Sequence, residues 1–434
     1  MAQTLLAASL WLALAYLTVV SLAAIVAALR AGGRRDDAAT SHDAVSVSRF
    51  TIPVSIVVPA ADDSQGLSRT ISALLQLNYP AFEVIVVADG CESSYVDALA
   101  AEWRLGAREF FYRRMLPTAD VRRIYRSDVD TRLMLIDKAR GGYSDALNCG
   151  VNLARYRYVM SLPLEIASRV EFDPHALLRV MTAALHDPAN VVGAASHVEQ
   201  GVEMGGSAAA FQRLASLRSL MKTRLAWRHL RQGLGPDGAV VVWRRDAVLK
   251  LQGYSRTAAD PDLDLMCRMQ TADPEGGTRF VRSGEVFGRV KSRPIGRALA
   301  AAARRQQGAF QFVRRALQGH ARGLDRATLV HFVESELLTP AMQAWLVAGS
   351  LAGAAAGWFP WSTPLLAVLL LSFGGAAVTA AALLLRGFAP GAPLEPELRR
   401  LLVASPLEPV LYRPLLAIAR LGAVFAPGPG AHRR

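Results

Sequence analysis

Residues Val54 to Gly90 constrain this chain more than any other stretch. They join a short β-branched run, a polar turn, an amphipathic segment and a second apolar run that ends on an acid. Val54, Ile56, Val57 and Val58 form the first run, closed by Pro59, and residues 60–66 carry no apolar side chain larger than alanine. Leu67, Ile71, Leu74 and Leu75 then recur at helical spacing. After Asn78-Tyr79-Pro80 the run Phe82 to Val87 is continuous, as in a strand covered on both faces. The two strands are therefore predicted to be parallel, with the helix as their right-handed crossover. Ligands of such sheets bind at the carboxyl ends of the strands, where Asp62, Asp63 and Asp89 would stand. Taken alone, the unit is common to many α/β proteins and names no substrate.

From Pro53 to about Val290 short apolar runs keep alternating with helical patterns, without an internal repeat, which predicts one α/β domain over 51–292. The ends of the chain are different. Leu5 to Leu29 holds no charged residue and exceeds the roughly 20 residues that span a bilayer. It lacks the basic start of a signal peptide and runs into Arg30, Arg34 and Arg35, so residues 1–30 are expected to form an anchor, followed by a polar linker over 31–50. Ala341 to Phe359 and Pro364 to Leu385 make a further apolar pair, expected as a transmembrane hairpin within 340–386, with a cytoplasmic or interfacial tail over 387–434. The arginines after the first and last runs put the middle of the chain on the cytoplasmic side of the cell membrane.

The net charge of +13 does not form one basic block interleaved with aromatics, which argues against nucleic acid. Over 293–339, Arg293, Arg297, Arg304, Arg305, Arg314 and Arg315 alternate with Ile295, Leu299, Phe310, Phe312, Val313 and Leu317. That pattern fits interfacial amphipathic helices on an anionic membrane lipid surface, and also ordinary solvated helix faces. Cys91, Cys149 and Cys267 have neither disulfide nor metal spacing.

Several segments resemble the family 2 glycosyltransferases, of the membrane-bound, polysaccharide-synthase-like kind. Val58-Pro59-Ala60, Tyr79-Pro80, Glu83 to Val87 and Asp89-Gly90 match the family's opening. Gly142, Ala146, Leu147 and Asn148 match its G-G-K-x-x-A-L-N segment, with Tyr143 at the lysine. Trp243, Arg244, Arg245, Gly253 and Tyr254 match its acceptor-site segment, and Pro261-Asp262-Leu263-Asp264-Leu265 its E-D-x-D/E-L. Leu407 to Arg413 is similar to the L-E-x-x-G-Y-R of the tail.

The resemblance implies a GT-A-like nucleotide-diphospho-sugar transferase domain that moves a sugar with inversion from a nucleotide-sugar, expected as a UDP-sugar, to a glycan or lipid-linked acceptor. It implies Asp262 as the catalytic base, Asp89, Asp63, Asn148, Trp243, Arg244 and Arg304 as substrate-binding residues, and a Mg²⁺ or Mn²⁺ ion held by Glu165. The chain departs from the pattern where phosphate, metal and acceptor are met: Tyr143 for lysine, Pro163 for the first metal aspartate, Pro261 for glutamate and Arg305 for tryptophan. Those departures raise the alternative of a catalytically degenerate subunit that scaffolds or regulates a polysaccharide synthase. From the residues alone, Asp262 reads first as the N-cap of a helix, a frequent role for an acid just after a proline and ahead of an apolar helical run.

Overall fold

A computed structural model describes residues 1–32, 52–60, 66–162, 170–185, 189–200, 207–227, 240–272, 279–320, 326–386 and 395–425. The expected linker lies almost wholly outside these residues.

Ten strands form one mixed sheet in the order β3-β4-β5-β2-β1-β6-β9-β8-β10-β7. Its centre is a parallel block of β5 (Leu133–Lys138), β2 (Phe82–Asp89), β1 (Val54–Ala60) and β6 (Tyr158–Ser161). The register pairs Val54 with Phe82 and Val54 with Tyr158, so these strands start level and their carboxyl ends share one edge. β9 (Val240–Arg244) runs antiparallel to both β6 and β8 (Val191–Gln200). β10 (Arg279–Val290) lies parallel to β8 and antiparallel to β7 (Val170–Phe172). On the other side, β3 (Leu105–Arg108) and β4 (Val121–Ser127) close the sheet in antiparallel fashion.

The continuous apolar runs of β1 and β2 are buried on both faces, as a parallel sheet covered by helices requires. One face packs Val54, Ile56, Val58, Val84 and Val86 against α2 (Leu67–Leu75), α3 (Ser93–Glu102) and α5 (Ala176–Leu185). The other packs Val57, Ile85, Val87 and Val159 against α4 (Tyr143–Leu153), α8 (Pro261–Ala272) and α9 (Ile295–Arg315). Helix α4 lies close over β1 because Gly150 has no side chain; a Cβ there would meet Val57 Cγ1 at 2.3 Å. Helices α6 (Ser207–Trp227) and α7 (Arg245–Lys250) complete the domain.

Three described helices are long and apolar enough to cross a membrane. They are α1 (Ala2–Gly32), the segment Glu336 to Ala355, which includes α11 (Thr339–Ala355), and α12 (Ser362–Arg386). α1 packs on both α11 and α12 around Leu10, Leu17, Leu346 and Ala367. α11 and α12 pack on one another as a helical hairpin, its turn falling between Ala355 and Ser362. α10 (Arg326–Val333) leads into it through a wider helical turn, Glu334–Leu338, and α13 (Glu395–Ala404) and α14 (Glu408–Phe425) follow it.

The amphipathic α9 departs in part from its sequence reading. Phe312 and Val313 face the sheet core rather than outward. Arg305 pairs with Glu336 at 3.3 Å and Arg315 pairs with Asp264, so these two cations serve contacts within the protein.

Candidate active site

In an open sheet of this topology the ligand crevice opens where the strand order reverses, here between β1 and β6. Residues 61–65 and 163–169, which leave those two strands, carry Asp62, Asp63, Pro163 and Glu165 and lie outside the described residues.

The described part of the site is built on Ser161, the last residue of β6. Its hydroxyl donates to both oxygens of Asp262, at 3.1 and 3.3 Å. The Trp243 indole N–H donates to Asp262 Oδ1 at 3.0 Å from the neighbouring strand β9. Trp243 is fully buried, wedged against Phe280 with ring centroids 5.1 Å apart, so it meets Asp262 rather than a ligand.

The N-cap of α8 is Asp260, not Asp262. Asp260 Oδ1 accepts from Leu263 N at 3.1 Å, the side-chain to backbone bond that defines a cap, and Pro261 takes the first helical position. Asp262 is thereby released from capping and turns inward. Burial raises its carboxyl to about 6, against the donors Trp243 and Ser161, which lower it. Burial also lifts Asp260 to about 7, with the negative charge of Asp262 adding to the rise. The phenol oxygens of Tyr143 and Tyr254 are buried in the same place, both held well above the usual range by burial and then by the charge of Asp262. By contrast, Asp264 is neutralised by Arg268, at 2.9 Å, and by Arg315.

Helix α9 holds this cluster from outside. Gln311 Oε1 accepts from Ala259 N at 3.1 Å, and Gly308 lies flat on Asp260, where a Cβ would come within 2.5 Å of Asp260 Cβ. Arg304 sits one turn earlier on α9, with its side chain exposed.

The remaining expected residues divide. Asp89 does stand at the carboxyl end of β2, but its carboxylate is taken up by the protein. It accepts from Gly141 N at 2.8 Å and Gly142 N at 2.7 Å, and pairs with Lys138. It therefore fixes the turn that opens α4. Asn148 is buried and bonds Tyr254 twice, donating to its carbonyl at 2.9 Å and accepting from its N–H at 2.7 Å, so it positions Tyr254.

Arg244 is a correction. It pairs with Tyr158 at the start of β6, at the amino ends of the parallel block and so at the far edge from the crevice, and bonds Asp246 and the Ala189 carbonyl. The reason is strand direction: β9 is antiparallel, so its last residue falls where β6 begins.

Lys138 was missed. Its ammonium is wholly buried between Asp89 and Asp145, 2.7 Å from the latter, while Arg256 pairs with the other oxygen of Asp145. The signal was present, since Asp137-Lys138 ends an otherwise apolar strand and such charges are buried only when paired. Asp260, Ser161 and Tyr143 as a facing phenol were missed too, because no local pattern marks them.

Among the described residues no group of three His, Cys, Asp or Glu side chains could hold a metal ion.

Similar architecture occurs in solved structures. The mannosyltransferase PcManGT from Pyrobaculum calidifontis, in complex with GDP-Man and Mn²⁺, is 17% identical with a TM-score of 0.52, over 92% of this chain and 99% of that one. S. aureus TarS 1-349 is 12% identical with a TM-score of 0.36, over 86% of this chain and 92% of that one. Glucosyl-3-phosphoglycerate synthase from Mycobacterium tuberculosis is 15% identical with a TM-score of 0.35, over 63% and 82%. At those scores the last two add nothing to the fold assignment, which rests on the first. No protein-family model and no curated protein matches the sequence. The α/β domain has the GT-A-like fold.

Proposed function

We propose that this chain is a membrane-anchored transferase that moves a sugar, with inversion, from a nucleotide-sugar to a hydroxyl of a glycan or lipid-linked acceptor, with Asp262 as the base. One observation carries the reading. Asp262, relieved of capping by Asp260, is held by Ser161 and Trp243 at the crevice end of β6 with its carboxyl raised to about 6. A buried carboxylate of that proton affinity is ionised at neutral pH and is a stronger base than a solvated one. In the step, Asp262 takes the proton of the acceptor hydroxyl as its oxygen bonds the anomeric carbon. The nucleoside diphosphate leaves from the opposite face with the bonding pair.

Tyr254 and Tyr143 border Asp262 with neutral phenols, which suits a hydroxyl-bearing acceptor. Asp89 organises the Gly141-Gly142 turn on the donor side, and Arg304 lies one turn from the cluster on α9. A Mg²⁺ or Mn²⁺ ion would neutralise the leaving diphosphate; Glu165 and Asp63 lie outside the described residues, and no step here depends on them. The GDP-Man and Mn²⁺ bound by PcManGT support a nucleotide-sugar donor. The three long apolar helices support residence in the cell membrane, with the domain on the cytoplasmic side where nucleotide-sugars are made.

A second reading, a transferase-like scaffold or regulator of a synthase, is favoured by the filled carboxylate of Asp89 and by the 5% exposure of Asp262. The two part on one experiment: calorimetric binding and turnover of UDP- and GDP-sugars by the purified full chain with Mn²⁺ or Mg²⁺. Saturable binding with sugar transfer supports the enzyme. The absence of binding across the panel rejects it in favour of the scaffold.

A further inference from the structure

The C-terminal helix α14 is amphipathic with its orientation reversed: Glu408 and Tyr412 are buried against the protein while Leu411, Leu415 and Ile418 face out, and the preceding α13 buries Leu401 and leaves Leu402 and Val403 outside. Glu408 is 2% exposed, forms an ion pair with Arg218 of α6 at 2.5 Å and accepts from Arg413 at 3.1 Å. Tyr412 stacks on Phe211 of α6 with centroids 5.8 Å apart, and Leu401 packs on Leu214 and Leu217. A carboxylate buried that deeply is retained only with such partners, so the docked side is fixed.

On the opposite side Leu411, Leu415 and Ile418 recur at intervals of four and three, one stripe of a helix, and are 54%, 43% and 68% exposed. Leu402, Val403 and Leu407 extend the stripe onto α13 and the intervening turn, at 44%, 66% and 50% exposure. A contiguous apolar stripe of this length demands an occupant. Two observations choose it. α14 packs directly on α11 and α12, so its stripe continues the outward apolar surface of the spans, where Leu365, Leu366, Leu369 and Phe373 are 56–77% exposed. At the start of the stripe, Arg399 and Arg400 are exposed, placing cations beside it as anionic headgroups require.

We infer that α13 and α14 lie in the headgroup and acyl boundary of the bilayer with Leu402, Val403, Leu407, Leu411, Leu415 and Ile418 immersed, clamping the transferase-like domain to the membrane through Glu408 and Arg218. The inference rests on the reading of α1, α11 and α12 as membrane spans. It also sets the domain at a fixed height, since α14 packs along α9, whose Gly308 and Gln311 hold the Asp260 turn.

The test is nitroxide accessibility in the full chain reconstituted into vesicles of phosphatidylcholine and phosphatidylglycerol. Spin labels go on Leu411→Cys, Leu415→Cys and Ile418→Cys, with Val129→Cys, 72% exposed on the sheet domain, as the aqueous reference and Phe373→Cys on α12 as the lipid reference. The three native cysteines are buried, which keeps background labelling low. Expected is a several-fold loss of collision with a water-soluble nickel chelate relative to Val129→Cys, with oxygen collision retained as at Phe373→Cys. Free collision with the nickel chelate at all three positions, while Phe373→Cys reports lipid, overturns the inference and leaves the spans standing. Loss of collision with both reagents means that protein covers the stripe, a second copy included, and overturns it too. If Phe373→Cys itself reports water, the membrane reading fails along with the inference.

Discussion

Gly308→Ala tests how firmly the amphipathic helix α9 holds the site. The new Cβ would stand 2.5 Å from Asp260 Cβ and 3.3 Å from Asp260 N. Carbons rest at about 3.5–4.0 Å, so the helix or the Asp260 turn must move by about 1 Å. Asp260 is the N-cap, and its bond to Leu263 N is already 3.1 Å, so a shift of that size takes it out of hydrogen-bond range. Loss of the cap costs about 1 kcal/mol and overpacking about 1–3 kcal/mol, which gives roughly 2–4 kcal/mol of destabilisation. Asp262 lies two residues on, and a displacement of about 1 Å in a positioned catalytic group lowers turnover by about 10²-fold. Thermal unfolding of the purified chain and kcat for sugar transfer read the two effects. Gly296→Ala supplies the control, because a Cβ there meets nothing within 4 Å, so the same helix should gain about 0.4–1 kcal/mol. If both variants unfold and turn over alike, α9 does not bear on the cap, and the argument from close approach fails.

Three further outcomes follow from the same geometry. Asp262→Asn should stabilise the protein at neutral pH: the folded carboxyl titrates near 6, above the unfolded value of about 3.9, so its contribution is full below about 4 and is lost as pH rises through about 6. The melting temperature of the variant minus that of the wild type should therefore grow between about pH 4 and pH 8; a constant difference contradicts the raised pKa. Lys138→Met removes the ammonium that Asp89 and Asp145 share and should cost about 3–5 kcal/mol in denaturant unfolding, whereas a loss below about 1 kcal/mol would mean that Arg256 alone suffices. Trp243→Phe deletes the 3.0 Å donor that lowers the Asp262 pKa, so the carboxyl should titrate higher when followed by carbon-13 NMR, and an unchanged titration would exclude that bond.

How much of this was legible in the sequence varies with the range of the interaction. The unit from Val54 to Asp89 was fully legible, because a continuous apolar strand, a helical period and another such strand admit a parallel pair, and the register Val54 to Phe82 is that pair. The apolar ends were legible through length alone, and the hairpin turn fell near its expected place. Asp262 and Asp260 were not distinguishable: acids two apart, flanking a proline, can each cap, and only the tertiary position of Ser161 and Trp243 decides which turns inward. Arg244 was misplaced because a short strand does not announce its direction, and β9 is reversed relative to β6. The reversed amphipathicity of α14 was hidden for a related reason. Pro414 interrupts the pattern, and the buried partner of Glu408 is Arg218, distant in sequence.

The proposed chemistry stands on Asp262 as an ionised base, and the dependence of kcat/KM on pH for sugar transfer reads that group in the free protein. The account predicts an acidic limb in which kcat/KM falls as pH drops through about 6, with turnover abolished in Asp262→Asn although that variant still folds and binds the nucleotide-sugar. Turnover that persists in Asp262→Asn with the same limb would contradict it.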